Sequence, residues 1–199
     1  MIDNGILKAQ SIGVNDIEYL GLIISKEGIE KIREFLDFNN ISLIATLQPN
    51  LHMTCHYFRG KGNVDKNLLP KNDFLGKELK IHINGYGELK NEQGVILNQG
   101  LLVDRKSLED IIIEDKRLTD FISIEKPHIT ISVNKQKVDG KHIAKAQDTY
   151  RCAFKSEIEN RNIDFMLTCK LAVVRFGKVF ENIDYGEQKK YKKQNKRLK

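Results

Sequence analysis

The first part of the chain has the pattern of a strand, a helix and a second strand. Residues 19–25 form an apolar, β-rich run, and the amphipathic stretch that follows predicts a helix. Ser25 is a suitable N-cap for this helix, and the Asn39-Asn40 pair is a suitable end. The apolar positions with helical spacing are Ile29, Ile32, Phe35 and Leu36. We expect the helix to cover one face of the sheet that contains the next strand, around residues 51–57.

A similar order follows further along the chain. After a polar loop, strands are predicted around residues 79–83 and 95–103, and then a helix that opens at Ser107. Pro127 marks the entry to another strand, and a helical stretch at 143–150 and a long strand at 163–176 complete the pattern. The order gives two similar halves, which predicts an α+β fold with two antiparallel sheets facing each other across a central groove and helices outside. Apart from two short motifs, the sequences of the two halves show no repeat that can be aligned.

These motifs are His52-Met53-Thr54 and His128-Ile129-Thr130, each a His-x-Thr inside an apolar run. Because side chains alternate along a strand, the His and Thr of each motif share one face. The predicted polar faces contain His52 and Thr54 on one strand and His128, Thr130 and Ser132 on the other; the predicted apolar faces contain Leu51, Met53, Cys55, Tyr57, Ile129, Ile131 and Val133. Side by side, the strands predict a cleft that holds two imidazoles and two hydroxyls.

Such a cleft fits displacement at phosphorus. A neutral imidazole can accept a proton from the attacking oxygen while a protonated imidazole donates one to the leaving oxygen, and either His can take either role. The Thr hydroxyls can donate hydrogen bonds to the nonbridging oxygens of the phosphate. The scheme requires no metal.

The paired His-x-Thr strings resemble the 2H phosphoesterase superfamily, and the resemblance covers roughly residues 19–174. It implies a bilobal, pseudo-twofold fold, catalytic roles for His52 and His128, and phosphate-binding roles for Thr54 and Thr130. It also implies activity on 2',3'-cyclic phosphate ends, 2',5'-linked oligonucleotides or cyclic oligonucleotides, without a cofactor. The alternative is a noncatalytic module that binds a nucleotide or an RNA end in the same groove.

Other side chains are weaker candidates for contact with the substrate. Tyr19 and Tyr57 could stack on a base, Lys126 could place positive charge beside a phosphate, and Ser132 shares the predicted face of Thr130. A zinc site is not expected, because no further ligands with a recognisable spacing accompany either motif. His56 shares the predicted face of His52 but lies roughly 13 Å along the strand, too far to share one phosphate. His82 and His142 are expected to be structural.

Charge is unevenly distributed along the chain. Of 33 basic and 27 acidic residues, seven basic and one acidic lie in residues 187–199, which leaves 26 of each sign in residues 1–186. We therefore predict one globular domain over residues 1–186, suited to a small ligand, and a basic, disordered tail over residues 187–199. The tail is expected to be a solubilising segment; the alternative is an arm that contacts RNA weakly. Three cysteines without CxxC spacing, and no long apolar segment, predict a cytoplasmic protein without a membrane anchor.

Overall fold

The computed structural model describes residues 6–7, 11–58, 64–114, 116, 119 and 126–185. The predicted basic tail, residues 187–199, lies outside the described residues. The strands are β1 (Ile6–Leu7), β2 (Ile12–Gly13), β3 (Tyr19–Ile24), β4 (His52–Tyr57), β5 (Glu78–Lys90), β6 (Ile96–Val103), β7 (His128–Val133), β8 (Lys137–Val138), β9 (Lys141–His142), β10 (Ala153–Lys155), β11 (Glu157–Ile158), β12 (Arg161–Asn162), β13 (Phe165–Arg175), β14 (Lys178–Phe180) and β15 (Ile183–Asp184). The helices are α1 (Lys26–Phe38) and α2 (Arg105–Glu114), with 3-10 helices at Val14–Asp16, Lys66–Leu68 and Ala146–Arg151.

The architecture is α+β, as the sequence predicts, but the two halves share one large sheet. In the described residues nine strands follow the order β1-β14-β13-β3-β4-β7-β6-β5-β10, and almost all neighbours are antiparallel. β13 also pairs with β5, so six strands from β13 through β3, β4, β7 and β6 to β5 form a closed circuit. The prediction of two separate sheets is therefore corrected: the contacts of β4 with β7 and of β13 with β5 join them.

Both helices pack on the same apolar core as the motif strands. Ile32 and Leu36 of α1, and Leu108 and Ile111 of α2, belong to one buried cluster, which also contains Leu22, Met53, Leu101 and Ile129. Ser25 caps α1 as predicted, since its hydroxyl accepts a hydrogen bond of 3.0 Å from the Gly28 amide. α2 begins two residues earlier than Ser107, and the Ser107 hydroxyl donates to the Asp104 carbonyl instead of capping.

The structure reveals a repeat that extends beyond the motifs. Gly21-Leu22-Ile23-Ile24 on β3 and Gly100-Leu101-Leu102-Val103 on β6 occupy equivalent places beside β4 and β7. Ser25 and Asp104 follow these strings directly, and each precedes the first residue of a helix. The units β3-α1-β4 and β6-α2-β7 are thus two copies of one arrangement. No helix in the described residues is both long and apolar enough to span a membrane.

Candidate active site

The two motif strands meet at one residue pair. Met53 on β4 lies opposite Ile129 on β7, and both side chains are buried in the core. In an antiparallel pair this register places His52 opposite Thr130 and Thr54 opposite His128, on the face away from the core. Directly opposite Cβ atoms lie about 4.5–5.5 Å apart and diagonal neighbours such as the two histidines about 7–8 Å apart. The four predicted side chains therefore share the face of β4 and β7 that lies away from the core. We call these four side chains the quartet, and this face the groove face, after the groove predicted from the sequence.

Each imidazole is held by the same kind of hydrogen bond, between its Nδ1 and a backbone carbonyl oxygen. Nδ1 of His52 lies 2.7 Å from the carbonyl oxygen of Asn50, and Nδ1 of His128 lies 2.7 Å from that of Lys126. A carbonyl oxygen only accepts, so Nδ1 donates in both rings and Nε2 of the neutral ring carries the lone pair. None of the described residues forms a hydrogen bond with either Nε2. Both rings thus offer the same nitrogen for proton transfer.

The surroundings of the rings make both imidazoles less basic. Burial lowers the pKa of His52, the hydrogen bond to the Asn50 carbonyl opposes this shift, and the charge of His128 lowers it further. Burial also lowers the pKa of His128, again opposed by its carbonyl bond. Because the charge of His128 acts on His52, the apparent pKa values of the site belong to the two rings together.

A β-bulge follows each motif threonine and changes which side chains face the groove. On β4, Gly21 of β3 pairs with Thr54 while Leu20 pairs with His56, which leaves Cys55 as an extra residue. On β7, Gly100 of β6 pairs with Thr130 while Gln99 pairs with Ser132, which leaves Ile131 extra. An extra residue shifts the alternation of every side chain after it to the other face.

Three predictions made from strict alternation are corrected by these bulges. Tyr57 lies on the groove face opposite Tyr19 and is 56% exposed, whereas the sequence pattern placed it on the apolar face. His56 lies on the core side, opposite the buried Leu20. Ser132 does not lie on the groove face, and its side chain is fully buried. Its hydroxyl accepts a hydrogen bond from the Ala45 amide and donates one to the Ala45 carbonyl. The hydroxyl of Ser132 thus fixes a neighbouring loop and does not line the groove.

The other candidate contacts occupy different places around the quartet. Tyr19 stacks on His52 with ring centroids 4.9 Å apart. Phe154, which was not predicted from the sequence, has its ring centroid 6.4 Å from that of His128. Lys126 is exposed two residues before His128, and its carbonyl holds that ring. No sequence pattern singles out Phe154, because it lies in a polar stretch outside both motifs. Each imidazole therefore has one aromatic neighbour from another strand.

The two threonines have unequal surroundings. Thr54 is exposed, and its hydroxyl has no hydrogen-bond partner among the described residues. Thr130 is half-buried, and its hydroxyl lies 2.9 Å from that of Thr149 and 3.3 Å from the Ala146 carbonyl. Asn98, fully buried on β6, donates to the Thr149 hydroxyl. The polar Asn98-Gln99 pair inside an otherwise apolar strand was the sequence signal for this buried network.

Metal-binding and thiol chemistry find little support among the described residues. No group of three or more His, Cys, Asp or Glu side chains in this part of the chain could hold a metal ion. Cys55 is buried, and burial raises the pKa of its thiol to about 12, which keeps the thiolate scarce. The chemistry that the quartet supports directly is proton transfer by the two imidazoles to and from a group bound between them.

Comparison with known proteins adds little to this geometry. No protein-family model matches the chain, and no curated protein matches it. Among solved structures, the chain is similar to the crystal structure of TT0787 of Thermus thermophilus, with 14% sequence identity and a TM-score of 0.36 over 80% of this chain and 87% of that chain. A likeness of this size carries no argument about function, which has to be argued from the side chains themselves.

Proposed function

We propose that the protein is a phosphodiesterase of the 2H type, which cleaves a phosphodiester between His52 and His128. The substrates that this chemistry suits are 2',3'-cyclic phosphate ends, 2',5'-linked oligonucleotides and cyclic oligonucleotides. In this proposal the units β3-α1-β4 and β6-α2-β7 are the two lobes of a pseudo-twofold active site. The observation that carries the proposal is the Met53–Ile129 pair, because it brings both His-x-Thr motifs onto one face.

The reaction assigns one task to each member of the quartet. For a cyclic phosphate, Nε2 of one neutral imidazole accepts a proton from water as the water oxygen bonds to phosphorus. Nε2 of the other, protonated imidazole donates its proton to the ribose oxygen as the P–O bond to that oxygen breaks. Thr54 and Thr130 hydrogen-bond the nonbridging oxygens, where negative charge accumulates in the transition state. The carbonyls of Asn50 and Lys126 keep both rings in the required tautomer.

The decisive experiment is incubation of the protein with a panel of 2',3'-cyclic nucleotides, 2',5'-oligoadenylates and cyclic dinucleotides, with products identified by mass. We expect at least one class to be converted. His52→Ala and His128→Ala should each reduce the rate roughly 10²- to 10⁴-fold, the usual contribution of a general acid or base. The matched control is His142→Ala, which removes an exposed imidazole of the β8–β9 hairpin and should leave the rate unchanged.

Two other outcomes contradict the proposal. Strong inhibition by EDTA that zinc reverses indicates a metal-dependent reaction in place of the paired imidazoles. Binding of a labelled nucleotide without conversion at any pH between about 5 and 9, the range in which imidazoles titrate, indicates the noncatalytic binding module.

A further inference from the structure

We propose that Thr149, held in place by Asn98, is a positioning residue that directs the hydroxyl proton of Thr130 towards the phosphate. This inference rests on the proposed function, since it concerns how one phosphate-binding group of that site is oriented. It assigns a role to two buried residues that lie outside both His-x-Thr motifs. It also makes the two halves of the site functionally unequal.

Thr149 lies where the 3-10 helix Ala146–Arg151 covers the groove face of β7. Its side chain is fully buried, and its Oγ1 is 2.9 Å from Oγ1 of Thr130. The side-chain amide of Asn98 reaches it from β6, with Nδ2 3.0 Å from Thr149 Oγ1 and 2.8 Å from the carbonyl oxygen of Lys145. The three side chains thus form a continuous chain from buried β6 to the groove.

The amide fixes one end of this chain of hydrogen bonds. Nδ2 of Asn98 can only donate, so Oγ1 of Thr149 accepts from it. Between the two threonines either hydroxyl can donate, and the proposed arrangement has Thr149 donate its proton to Thr130, because both hydroxyl protons then have an acceptor. When Thr130 accepts that proton, its own hydroxyl hydrogen is available for another acceptor. In the absence of substrate that acceptor is the Ala146 carbonyl, at 3.3 Å. A phosphate oxygen is the stronger acceptor because it is charged, so it takes this hydrogen when it enters the groove.

Packing fixes Thr149 in this position. A Cβ atom added to Gly100, which lies opposite Thr130, would be 2.5 Å from the Thr149 methyl group and 3.2 Å from the Ile129 carbonyl. The missing side chain of Gly100 therefore provides the space that Thr149 occupies. Gly21 is the equivalent residue beside Thr54, but there the neighbouring side-chain atoms are carbons of the Tyr19 ring, and the Thr54 hydroxyl has no hydrogen-bond partner among the described residues.

The test compares Thr149→Val with Thr149→Ser on a substrate that the wild-type protein converts. Valine keeps the shape of threonine and removes the hydroxyl, whereas serine keeps the hydroxyl and removes the methyl group. We expect Thr149→Val to reduce kcat/KM by up to about 10-fold, the size of one neutral hydrogen bond, mainly through kcat, and Thr149→Ser to retain most of it. In a Thr130→Val background, Thr149→Val should have no further effect, because it acts through Thr130.

A second readout does not depend on turnover. Binding of inorganic phosphate, followed by NMR of the two imidazoles, should weaken in Thr149→Val and be retained in Thr149→Ser. If the wild-type protein converts none of the panel but phosphate binding follows this order, the proposed function fails and the positioning role stands. Equal kcat/KM and equal phosphate affinity in wild type and Thr149→Val overturn the positioning role, as does a wild-type protein that neither converts the panel nor binds phosphate.

Folding of the variants is checked by melting temperature. Should Thr149→Val be too unstable to assay, Thr149→Ala removes the same hydroxyl without placing a second methyl group against Thr130. The loss of kcat/KM in Thr149→Ala must then disappear in the Thr130→Val background. An additive loss in the double variant shows that Thr149 acts through the fold and not through Thr130.

Discussion

Burial lowers the pKa of both imidazoles, and the charge of His128 lowers that of His52 further. His52 and His128 both have pKa values below 6.5, the ordinary value for histidine, because the folded protein disfavours the charged form of each ring. General acid–base catalysis needs one charged and one neutral ring. Above both pKa values neither ring can donate, and below both neither can accept.

We therefore expect the pH profile of kcat/KM to be bell-shaped, with its maximum below pH 6.5. The profile reports the free protein, so its two limbs give the apparent pKa values of the coupled pair. The measurement is kcat/KM across the range from about pH 4 to pH 9, where imidazoles and their coupled forms titrate. A maximum above about pH 7 contradicts the environment described for the two rings.

Between elements, His82 connects three parts of the fold. From β5, its Nδ1 lies 3.2 Å from Asp104, the residue before α2, and its Nε2 lies 2.6 Å from Asp164, the residue before β13. Partial burial alone lowers the pKa of His82, but the hydrogen bonds and charges of Asp164 and Asp104 outweigh it and raise the pKa. Desolvation alone would raise the pKa of Asp104, but the hydrogen bonds from His82 and the Lys106 amide, together with the charges of both residues, outweigh it and lower the pKa.

The sign of these shifts predicts how stability depends on pH. The contribution of His82 to the free energy of unfolding is fully present below its unfolded pKa of 6.5, and it is lost as pH rises through the higher pKa of the folded protein. The contribution of Asp104 is present above its unfolded pKa of 3.8, and it is lost as pH falls through the lower pKa of the folded protein. We expect His82→Gln to lower the melting temperature most near pH 5, between these limits, and less as pH rises beyond 6.5. Thermal denaturation at several pH values measures the difference.

Asp164→Asn provides the control for this interpretation. It removes the charge of the closer partner while leaving His82 in place, so it should reduce the same pH-dependent difference without abolishing it. A destabilisation of His82→Gln that is constant from pH 5 to pH 8, about the range over which an imidazole loses its charge, shows that the ring acts by packing alone.

Helices and strands could be predicted from the sequence where a single local pattern determines them. The Ser25 cap and the apolar spacing of α1 located that helix, and the His-x-Thr strings located β4 and β7. The bulges at Cys55 and Ile131 were not predictable from alternation, because an extra residue is recognised only by its pairing with the neighbouring strand. That is why alternation places the four motif side chains on one face before the bulges and gives the wrong face for Tyr57, His56 and Ser132 after them. The glycine–leucine strings on β3 and β6 were a repeat that the sequence did contain.

At the scale of the whole molecule, charge is balanced over residues 1–186 and concentrated in residues 187–199. Long-range attraction for nucleic acid should therefore come from the terminal segment, whereas the quartet acts over hydrogen-bond distances. The two contributions are separable by deletion, because none of the quartet lies in the terminal segment.

We expect deletion of residues 187–199 to change kcat/KM for a mononucleotide 2',3'-cyclic phosphate by less than about twofold, since a substrate with one negative charge gains little from attraction that salt screens. The same deletion should weaken binding of a long single-stranded RNA and reduce the dependence of that binding on salt. Fluorescence anisotropy at several salt concentrations measures the second effect. A large loss of mononucleotide turnover shows that the terminal segment contributes to the site itself.

The two junctions between the halves differ in strength. β13 and β5 are joined by six residue pairs, whereas β4 and β7 share only Met53 with Ile129. When the two halves move apart, we expect the β4–β7 junction to open before the β13–β5 junction, because fewer backbone pairs hold it. In the proposed enzyme this junction lies beside the two His-x-Thr motifs, so we expect the distance between the motifs to be the dimension that differs most between ligands.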